Sequence, residues 1–203
     1  MTQKLAIQDP SAFAPAQVLR VYGMRRSGNH AVIDWMIRNA PGGAGLFLNN
    51  CKPNRDPLTF ARGVTVYEGG QVQAFERVGD KFAAAGPAPF TVVSFEDTMP
   101  AATRAALFAA PETCVLIYRS FLHWSASLLR KIQGNPGYGP LERMRVMMQA
   151  MRTYGEMLGR VRNTDVVPVC YDTWTEDEGY RSAALERLDL PGRDLNLGNV
   201  QRY

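Results

Sequence analysis

The densest group of hydrogen-bond donors in the sequence lies between Gly23 and His30, which read G-M-R-R-S-G-N-H. A β-rich run from Val18 to Met24 leads into it, and apolar side chains at helical spacing follow from Ala31 to Asn39. The first N–H groups of a helix have no partner within the helix, and the helix dipole favours an anion beside them. We therefore predict a phosphate-binding loop, unless this is only a tight turn with exposed arginines. Its candidate contacts are Arg25, Arg26, Ser27, Gly28, Asn29 and His30.

The loop departs from the magnesium-dependent form of such motifs. Gly23 and Gly28 match the spacing of the nucleoside-triphosphatase loop G-x-x-x-x-G-K-[ST], but Asn29 and His30 stand where that loop has Lys and Ser or Thr. Because the Ser or Thr hydroxyl binds magnesium there, its replacement argues against ordinary ATP or GTP hydrolysis. No metal is expected elsewhere, since the only histidines are His30 and His123 and no ligand spacing occurs.

A second candidate anion site begins at Arg119. This arginine follows the apolar run from Cys114 to Tyr118, and Ser127 comes eight residues after it. At ~3.6 residues per turn, a helix beginning there would place Arg119, His123 and Ser127 along one stripe. A guanidinium and a hydroxyl on that stripe could hold one phosphate together. The alternative is an arginine at a strand end and a serine packed within a helix, with no shared ligand.

The surrounding pattern indicates the scaffold. Apolar runs with strand character occur at residues 18–24, 45–49, 90–95, 114–118 and 166–171. Helical patterns occur at 31–39, 100–110, 121–132, 141–161 and 179–188, and a hairpin is predicted between 64 and 75. Such alternation predicts a three-layer α/β fold, with a mostly parallel central sheet of about five strands and helices on both faces. Ligands bind such sheets at the carboxyl ends of the strands, where 23–30, 96–98, 119 and 171–174 fall.

Composition narrows the class of protein. The 203 residues are 46% hydrophobic and 21% charged, which predicts a single globular domain over 1–203, with 1–17 as a loose lead-in. The net charge is +4, and the basic residues are scattered apart from Arg25-Arg26 and Arg130-Lys131. That distribution favours a small polyanion over nucleic acid. With no signal peptide and no membrane-length apolar run, we expect a cytoplasmic protein.

Three of these elements together resemble the cytosolic and Golgi sulfotransferases that use 3′-phosphoadenosine 5′-phosphosulfate (PAPS). That family carries a loop of the kind K/R-S-G-T/N after its first strand, and Arg26-Ser27-Gly28-Asn29 stand here. It also carries an arginine at a strand end with a serine eight residues later, as Arg119 and Ser127 do, and a Tyr-acid pair after a later strand, as Tyr171-Asp172 does. The resemblance covers roughly residues 18–190 and implies a P-loop NTPase-like sulfotransferase fold.

The resemblance also implies roles for these residues. The loop would bind the 5′-phosphosulfate, Arg119 and Ser127 the 3′-phosphate, and Tyr171 would lie near the adenine. Glu96 would be the base, as in the carbohydrate branch of the family, with Asp97 and His30 as second and third choices. Arg26 and His30 would stabilise the leaving phosphate. The alternative for Glu96 and Asp97 is a helix cap.

The expected function is transfer of a sulfuryl group from PAPS to a hydroxyl or amine of a small-molecule or carbohydrate acceptor. The product nucleotide would be 3′,5′-diphosphoadenosine. The family's basic, glycine-rich loop near the C-terminus has no counterpart before Tyr203. Two alternatives stay open: a nucleotide or small-molecule kinase with a degenerate loop, and a nucleotide-binding module without turnover.

Overall fold

The computed structural model describes residues 13–68, 70–75, 90–100, 106–162 and 165–198. Within these residues seven strands form a sheet in the order β4-β3-β2-β5-β1-β6-β7. The strands are β1 (Gln17–Gly23), β2 (Gly45–Asn49), β3 (Gly63–Glu68), β4 (Gln71–Phe75), β5 (Phe90–Glu96), β6 (Glu112–Tyr118) and β7 (Val167–Cys170).

The sheet has seven strands where about five were expected, and it is mixed. Strands β2, β5, β1, β6 and β7 are parallel, whereas β3 and β4 extend the β2 edge with antiparallel pairing. The hairpin was predicted, but its strands were not counted in the sheet. Only the pairing of Gly45–Asn49 with residues 63–67 shows that they belong to it. At the other edge lies β7, where Pro168 is tolerated because an edge strand needs fewer ladder donors.

Six α-helices accompany the strands in the part of the chain that the structure describes. They are α1 (Asn29–Arg38), α2 (Pro57–Phe60), α3 (Phe121–Gln133), α4 (Pro140–Arg160), α5 (Tyr171–Glu176) and α6 (Glu178–Arg187). Alternate residues of β1 face opposite sides of the sheet: Leu19 and Val21 pack with α1, α5 and α6, whereas Val18 and Tyr22 pack with α3 and α4. Helices therefore cover both faces, as expected for buried parallel strands.

Several local predictions need revision. The polar, proline-containing sequence of 51–62 predicts a loop, but this stretch contains the short helix α2. Asp56 caps its first turn by accepting from the Leu58 N–H at 2.9 Å. The helix predicted over 100–110 is absent from 106–110, while 101–105 lie outside the described residues. Residues 81–89, whose alanines, glycine and prolines predict a connector, also lie outside them, as does most of the lead-in.

The sequence predicts core positions for Met147, Met148, Met151 and Met157, but these methionines of α4 divide between core and surface. Met157 is buried and Met147 packs against the core, but Met148 and Met151 are exposed. Core packing is also the sequence-based expectation for the three tryptophans, and all three are fully buried. Among the described residues, no helix is both long and apolar enough to cross a bilayer.

Candidate active site

The turn from β1 into α1 is built around Gly28. This residue caps α1 with φ +87°, and no side chain caps the first turn or places a carboxylate in it. A Cβ at Gly28 would overlap the ring of Tyr171, so the position needs glycine for conformation and for space. Arg26, two residues earlier, holds φ +72°, which a non-glycine residue adopts only at a cost. The result is an open helix N-terminus with two exposed arginines beside it.

Ser27 and Asn29 face inward and brace this turn. The Ser27 N–H donates to the Met24 carbonyl at 3.1 Å, and the Asn29 amide nitrogen donates to the same carbonyl at 3.2 Å. Ser27 is fully buried, and Asn29 is only 6% exposed. Within the described part of the chain, Ser27 Oγ and Asn29 Oδ1 have no hydrogen-bond partner. Because buried polar groups normally have a hydrogen-bond partner, these two atoms are available to a bound molecule or to water.

A cleft of about 450 Å³ opens at this helix end. Of the predicted site residues, it brings together Arg25, Arg26, Gly28, Asn29, His30, Glu96, Arg119, Ser127 and Tyr171. Ser27 lies beneath its wall, and Asp97 faces a neighbouring cavity. The charged lining comprises five cationic side chains and one carboxylate. Such an excess of positive charge in a concave site attracts a polyanion.

The two predicted anion sites meet across this cleft. Arg26 Nε donates to Ser127 Oγ at 3.2 Å, which joins the loop after β1 to the middle of α3. The guanidinium of Arg119 lies over the Tyr171 ring, 5.0 Å from its centroid, within cation–π range. Since a Cβ at Gly28 would meet the same ring, Tyr171 packs between the loop and Arg119. The eight-residue spacing of Arg119 and Ser127 does place both on one surface.

Asp172 organises the Arg119 side of the cleft. Its carboxylate accepts from Arg119 Nε at 3.3 Å and from the Ser120 N–H at 2.7 Å, and lies 2.9 Å from His123 Nδ1. Partial burial alone would raise the pKa of Asp172, but these hydrogen bonds outweigh it, so the pKa lies below its ordinary value. His123, on the predicted stripe, therefore contacts Asp172 and does not line the cleft. The sequence analysis had identified Asp172 only as the acidic member of the Tyr171-Asp172 pair.

Glu96 and Asp97, adjacent in sequence, face different surroundings. Glu96 ends β5 beside Gly23 of β1 and lines the cleft. Asp97 forms an ion pair with Arg25 and also accepts from the Arg25 N–H at 2.9 Å. It holds φ +51°, a further left-handed non-glycine residue at this edge of the sheet. The candidate bases are thus one carboxylate free to face the cleft and one engaged by an arginine.

Four cleft residues were not predicted as site residues, of which three are polar and one is Ala31. Arg62 reaches the site because its N–H donates to the Asn49 carbonyl at 2.9 Å, at the start of the antiparallel hairpin. Asn50 follows β2 with φ +49°. Lys131 lies one helical turn beyond Ser127, and its basic pair with Arg130 was the only sequence signal for it.

The described C-terminal segment lies away from the cleft. The Gly192 N–H donates to the Asn39 carbonyl at 2.9 Å, and the Trp35 indole donates to the Asp194 carbonyl at 2.8 Å. These contacts are at the C-terminal end of α1, some ten residues or ~15 Å from the loop. No residue after Tyr171 lines the cleft among those described, and residues 199–203 lie outside them.

Comparison with solved structures finds a distant likeness in fold. No family model matches this chain. No curated protein matches it. A crystal structure of a mouse sulfotransferase, SULT7A1, complexed with PAP, is similar at 10% sequence identity and a TM-score of 0.48. The alignment covers 91% of this chain and 61% of that one, so this chain spans about three fifths of its length. A likeness at this level does not assign a function.

Proposed function

We propose that this protein is a sulfotransferase that transfers a sulfuryl group from PAPS to a hydroxyl or amine acceptor. The observation that carries the proposal is the joining of two anion-binding elements in one cleft by the Arg26–Ser127 hydrogen bond. One element is a helix N-terminus with no capping side chain, and the other is an arginine with a serine eight residues later. A nucleotide with phosphates on two separate positions of its ribose suits such a pair of sites.

The donor groups fit this nucleotide. The N-terminus of α1, with Arg26 and His30, would hold the 5′-phosphosulfate, and Arg119 with Ser127 would hold the 3′-phosphate. The Tyr171 ring, already stacked under the Arg119 guanidinium, offers an aromatic edge for the adenine. The buried Ser27 hydroxyl and Asn29 oxygen lie directly under the same helix end. Arg62 and Lys131 add charge at the rim.

PAPS supplies an activated sulfuryl group, whose bond to the 5′-phosphate oxygen breaks as the acceptor oxygen or nitrogen bonds to sulfur. Arg26, His30 and the N-terminus of α1 stabilise the negative charge on the departing phosphate. Glu96, the carboxylate of the cleft, accepts the acceptor's proton. Asp97 is the second candidate base because Arg25 already engages it, and His30, which packs edge-on to Phe47, is the third.

Calorimetric titration with 3′,5′-diphosphoadenosine tests the nucleotide site. We expect binding without magnesium, weakened at least tenfold, about 1.4 kcal/mol, in Arg119→Ala, because one charge-assisted phosphate contact is lost. Arg152→Ala, which removes an exposed arginine of α4 outside the cleft, is the matched control. Binding of ATP with magnesium in place of the diphosphate would favour the kinase alternative, and binding of neither nucleotide would refute the proposal.

Turnover tests the base. Transfer from PAPS to a panel of hydroxyl and amine acceptors should fall by about 10²–10⁴ in Glu96→Gln while diphosphate affinity stays within twofold. Glu142→Gln, an exposed glutamate at the start of α4, should leave both unchanged. Diphosphate binding without transfer to any acceptor would instead identify a nucleotide-binding module. A larger loss in Asp97→Asn than in Glu96→Gln would move the base to Asp97.

A further inference from the structure

A second cavity, of about 480 Å³, adjoins the cleft on the α3–α4 side of the sheet. Its wall comes from the end of β1, from Asp97 after β5, and from the facing sides of α3, the α3–α4 turn and α4. The lining residues are Met24, Arg25, Asp97, Leu128, Tyr138, Arg145, Val146, Gln149, Ala150 and Thr153. Its volume lies in the range that holds one small organic molecule.

The Arg25–Asp97 ion pair divides this cavity from the cleft. Arg25 lines both spaces, and the carboxylates of consecutive residues point to opposite sides of it, Glu96 into the cleft and Asp97 into the cavity. The buried Trp124 fixes the Arg25 backbone, because its indole N–H donates to the Arg25 carbonyl at 3.1 Å. A molecule in the cavity would thus reach the proposed reacting groups at one edge, past a partly exposed ion pair.

The cavity's lining is mainly apolar. Met24 and Leu128 are each 1% exposed and form its floor, and Val146, Ala150 and Tyr138 pack against the same core. One of the two neutral polar groups on α4 is already engaged, since the Thr153 hydroxyl donates to the Gln149 carbonyl at 3.2 Å. A sugar would leave most of its hydroxyls without partners on such a surface, whereas a ring system would bury well.

Arg145 gives the cavity a charge. It is exposed on α4 and, within the described residues, forms no ion pair. A guanidinium at the edge of an apolar cavity binds a carboxylate or similar anion with both charge and bidentate hydrogen bonds. Arg145 belongs to α4, whereas Arg25 follows β1 and Asp97 follows β5, so these charged groups come from different walls of the cavity.

We infer that this cavity binds an apolar, ring-containing hydroxyl compound that carries an anionic group, with the anion at Arg145 and the hydroxyl toward the Arg25–Asp97 pair. That this molecule is the acceptor rests on the proposed function. The class of ligand is independent of the proposed function, because binding to the cavity can be measured without any nucleotide. Of the small-molecule or carbohydrate acceptors expected from the sequence, the inference selects a small molecule, an aromatic or alicyclic hydroxy acid.

Calorimetric titration with three probes tests the ligand class: 6-hydroxy-2-naphthoate, 2-naphthol and maltose. We expect the naphthoate to bind about tenfold more tightly than the naphthol, because it alone can pair with Arg145, and maltose not to bind. Arg145→Gln should abolish the naphthoate's advantage and leave naphthol binding unchanged. Arg152→Gln, one heptad along the same helix and outside the cavity, should change neither.

Filling the cavity tests the location. Ala150→Phe should weaken both naphthalene probes at least tenfold, whereas Met148→Phe, the same new side chain on the exposed side of α4, should not. Gln149→Trp, at the exposed rim, gives the same test without disturbing the core if Ala150→Phe fails to fold. Maltose binding as tightly as the naphthoate, unchanged probe binding in the folded filling variants, or equal loss in both arginine variants would overturn the inference.

The two proposals fail separately. Probe binding with these variant effects, but without binding of 3′,5′-diphosphoadenosine, would reject the sulfotransferase proposal and leave the cavity's ligand class intact. Binding of 3′,5′-diphosphoadenosine without binding of either naphthalene probe would reject the cavity assignment and leave the nucleotide site intact.

Discussion

Backbone strain concentrates around the cleft. Arg26, Asn50 and Asp97 are non-glycine residues at positive φ, and each lies at the carboxyl end of a parallel strand that borders the site. Gly28 adds a fourth left-handed position at the helix start. In the three non-glycine residues such conformations cost of order 1–3 kcal/mol each and persist only where the surrounding contacts impose them. Their clustering supports a functional role for this edge of the sheet.

Substitution of Gly28 tests whether the turn needs glycine for space as well as for conformation. We expect Gly28→Ala to lower the free energy of unfolding by more than the ~1–2 kcal/mol of a left-handed alanine, because the methyl group would displace the Tyr171 ring. Gly42→Ala, at φ +69° with open space around it, isolates the conformational cost. Urea unfolding measures both, and equal losses would contradict the packing argument.

Asp172 predicts an acid-labile contribution to stability. Its pKa in the folded protein is lowered from the ordinary 3.8, so its contribution is complete above that pH and is lost as the pH falls through the lowered value. Asp172→Asn should therefore be less stable than wild type at pH 7, with the difference shrinking as the pH falls below about 3.8. Unfolding curves at pH 7, 4 and 3 measure this. A difference that stays constant with pH would show that the carboxylate's charge is not the cause.

At the scale of elements, α1 is held at both ends by different parts of the chain. Its N-terminus abuts Tyr171, which begins α5, and its C-terminus carries the segment around Asp194. Asn39 is fully buried there and makes three side-chain hydrogen bonds: to the Trp35 carbonyl at 2.9 Å, to the Asp194 carbonyl at 2.9 Å and from the Asp194 N–H at 2.8 Å. The C-terminal segment thus sets the position of the helix whose other end forms the phosphate loop.

Removal of this anchor should cost stability. Asn39→Ala removes three side-chain hydrogen bonds and leaves the Asp194 N–H without its partner, so we expect a loss of about 2–3 kcal/mol in the free energy of unfolding. Gln133→Ala, at the exposed end of α3, should change it by less than about 0.5 kcal/mol. Denaturant unfolding decides, and a loss in Asn39→Ala no greater than in the control would show that the segment is not an anchor.

For the whole molecule, charge is unevenly distributed. The net charge is only +4, yet one cleft gathers five cationic side chains against one carboxylate. They come from the loop after β1, the stretch after α2, the end of β6 and the last turn of α3. The sheet order brings these distant segments to one edge, so the positive field is a property of the fold and not of any local run.

This positive field predicts that nucleotide affinity depends on salt concentration. Affinity for 3′,5′-diphosphoadenosine should fall by about tenfold between 0.05 and 0.5 M salt, because the screening length shortens to a few ångströms. Lys131→Gln should weaken binding at low salt and reduce that dependence, whereas Arg152→Gln, outside the cleft, should do neither. Calorimetry across a salt series measures both. Affinity independent of salt would mean that short hydrogen bonds, and not the collected charge, hold the ligand.

The sequence by itself determined the features that depend on neighbours along the chain. The strand–loop–helix around Gly28, the helix after Arg119 and the all-apolar parallel strands follow from local periodicity and glycine placement, and α/β architecture follows from their alternation. The Arg119–Ser127 pair was also recognisable by its spacing, but Arg119 precedes α3, so the two residues do not share the helical stripe that the spacing predicted. The helix expected over 100–110 was wrong for residues 106–110, where both the Leu107 and Phe108 N–H groups donate to Glu112 instead.

Only the tertiary structure decided what lies across the sheet. The antiparallel hairpin joined the β2 edge and brought Arg62 to the cleft, Asp97 was taken by Arg25, and the C-terminal segment went to the far end of α1. The cavity beside the Arg25–Asp97 pair likewise needs α3 and α4 to face each other. No periodicity carries these relations, because they join residues far apart in sequence, and the free energy that selects among such pairings comes from burial and hydrogen bonding in the assembled molecule.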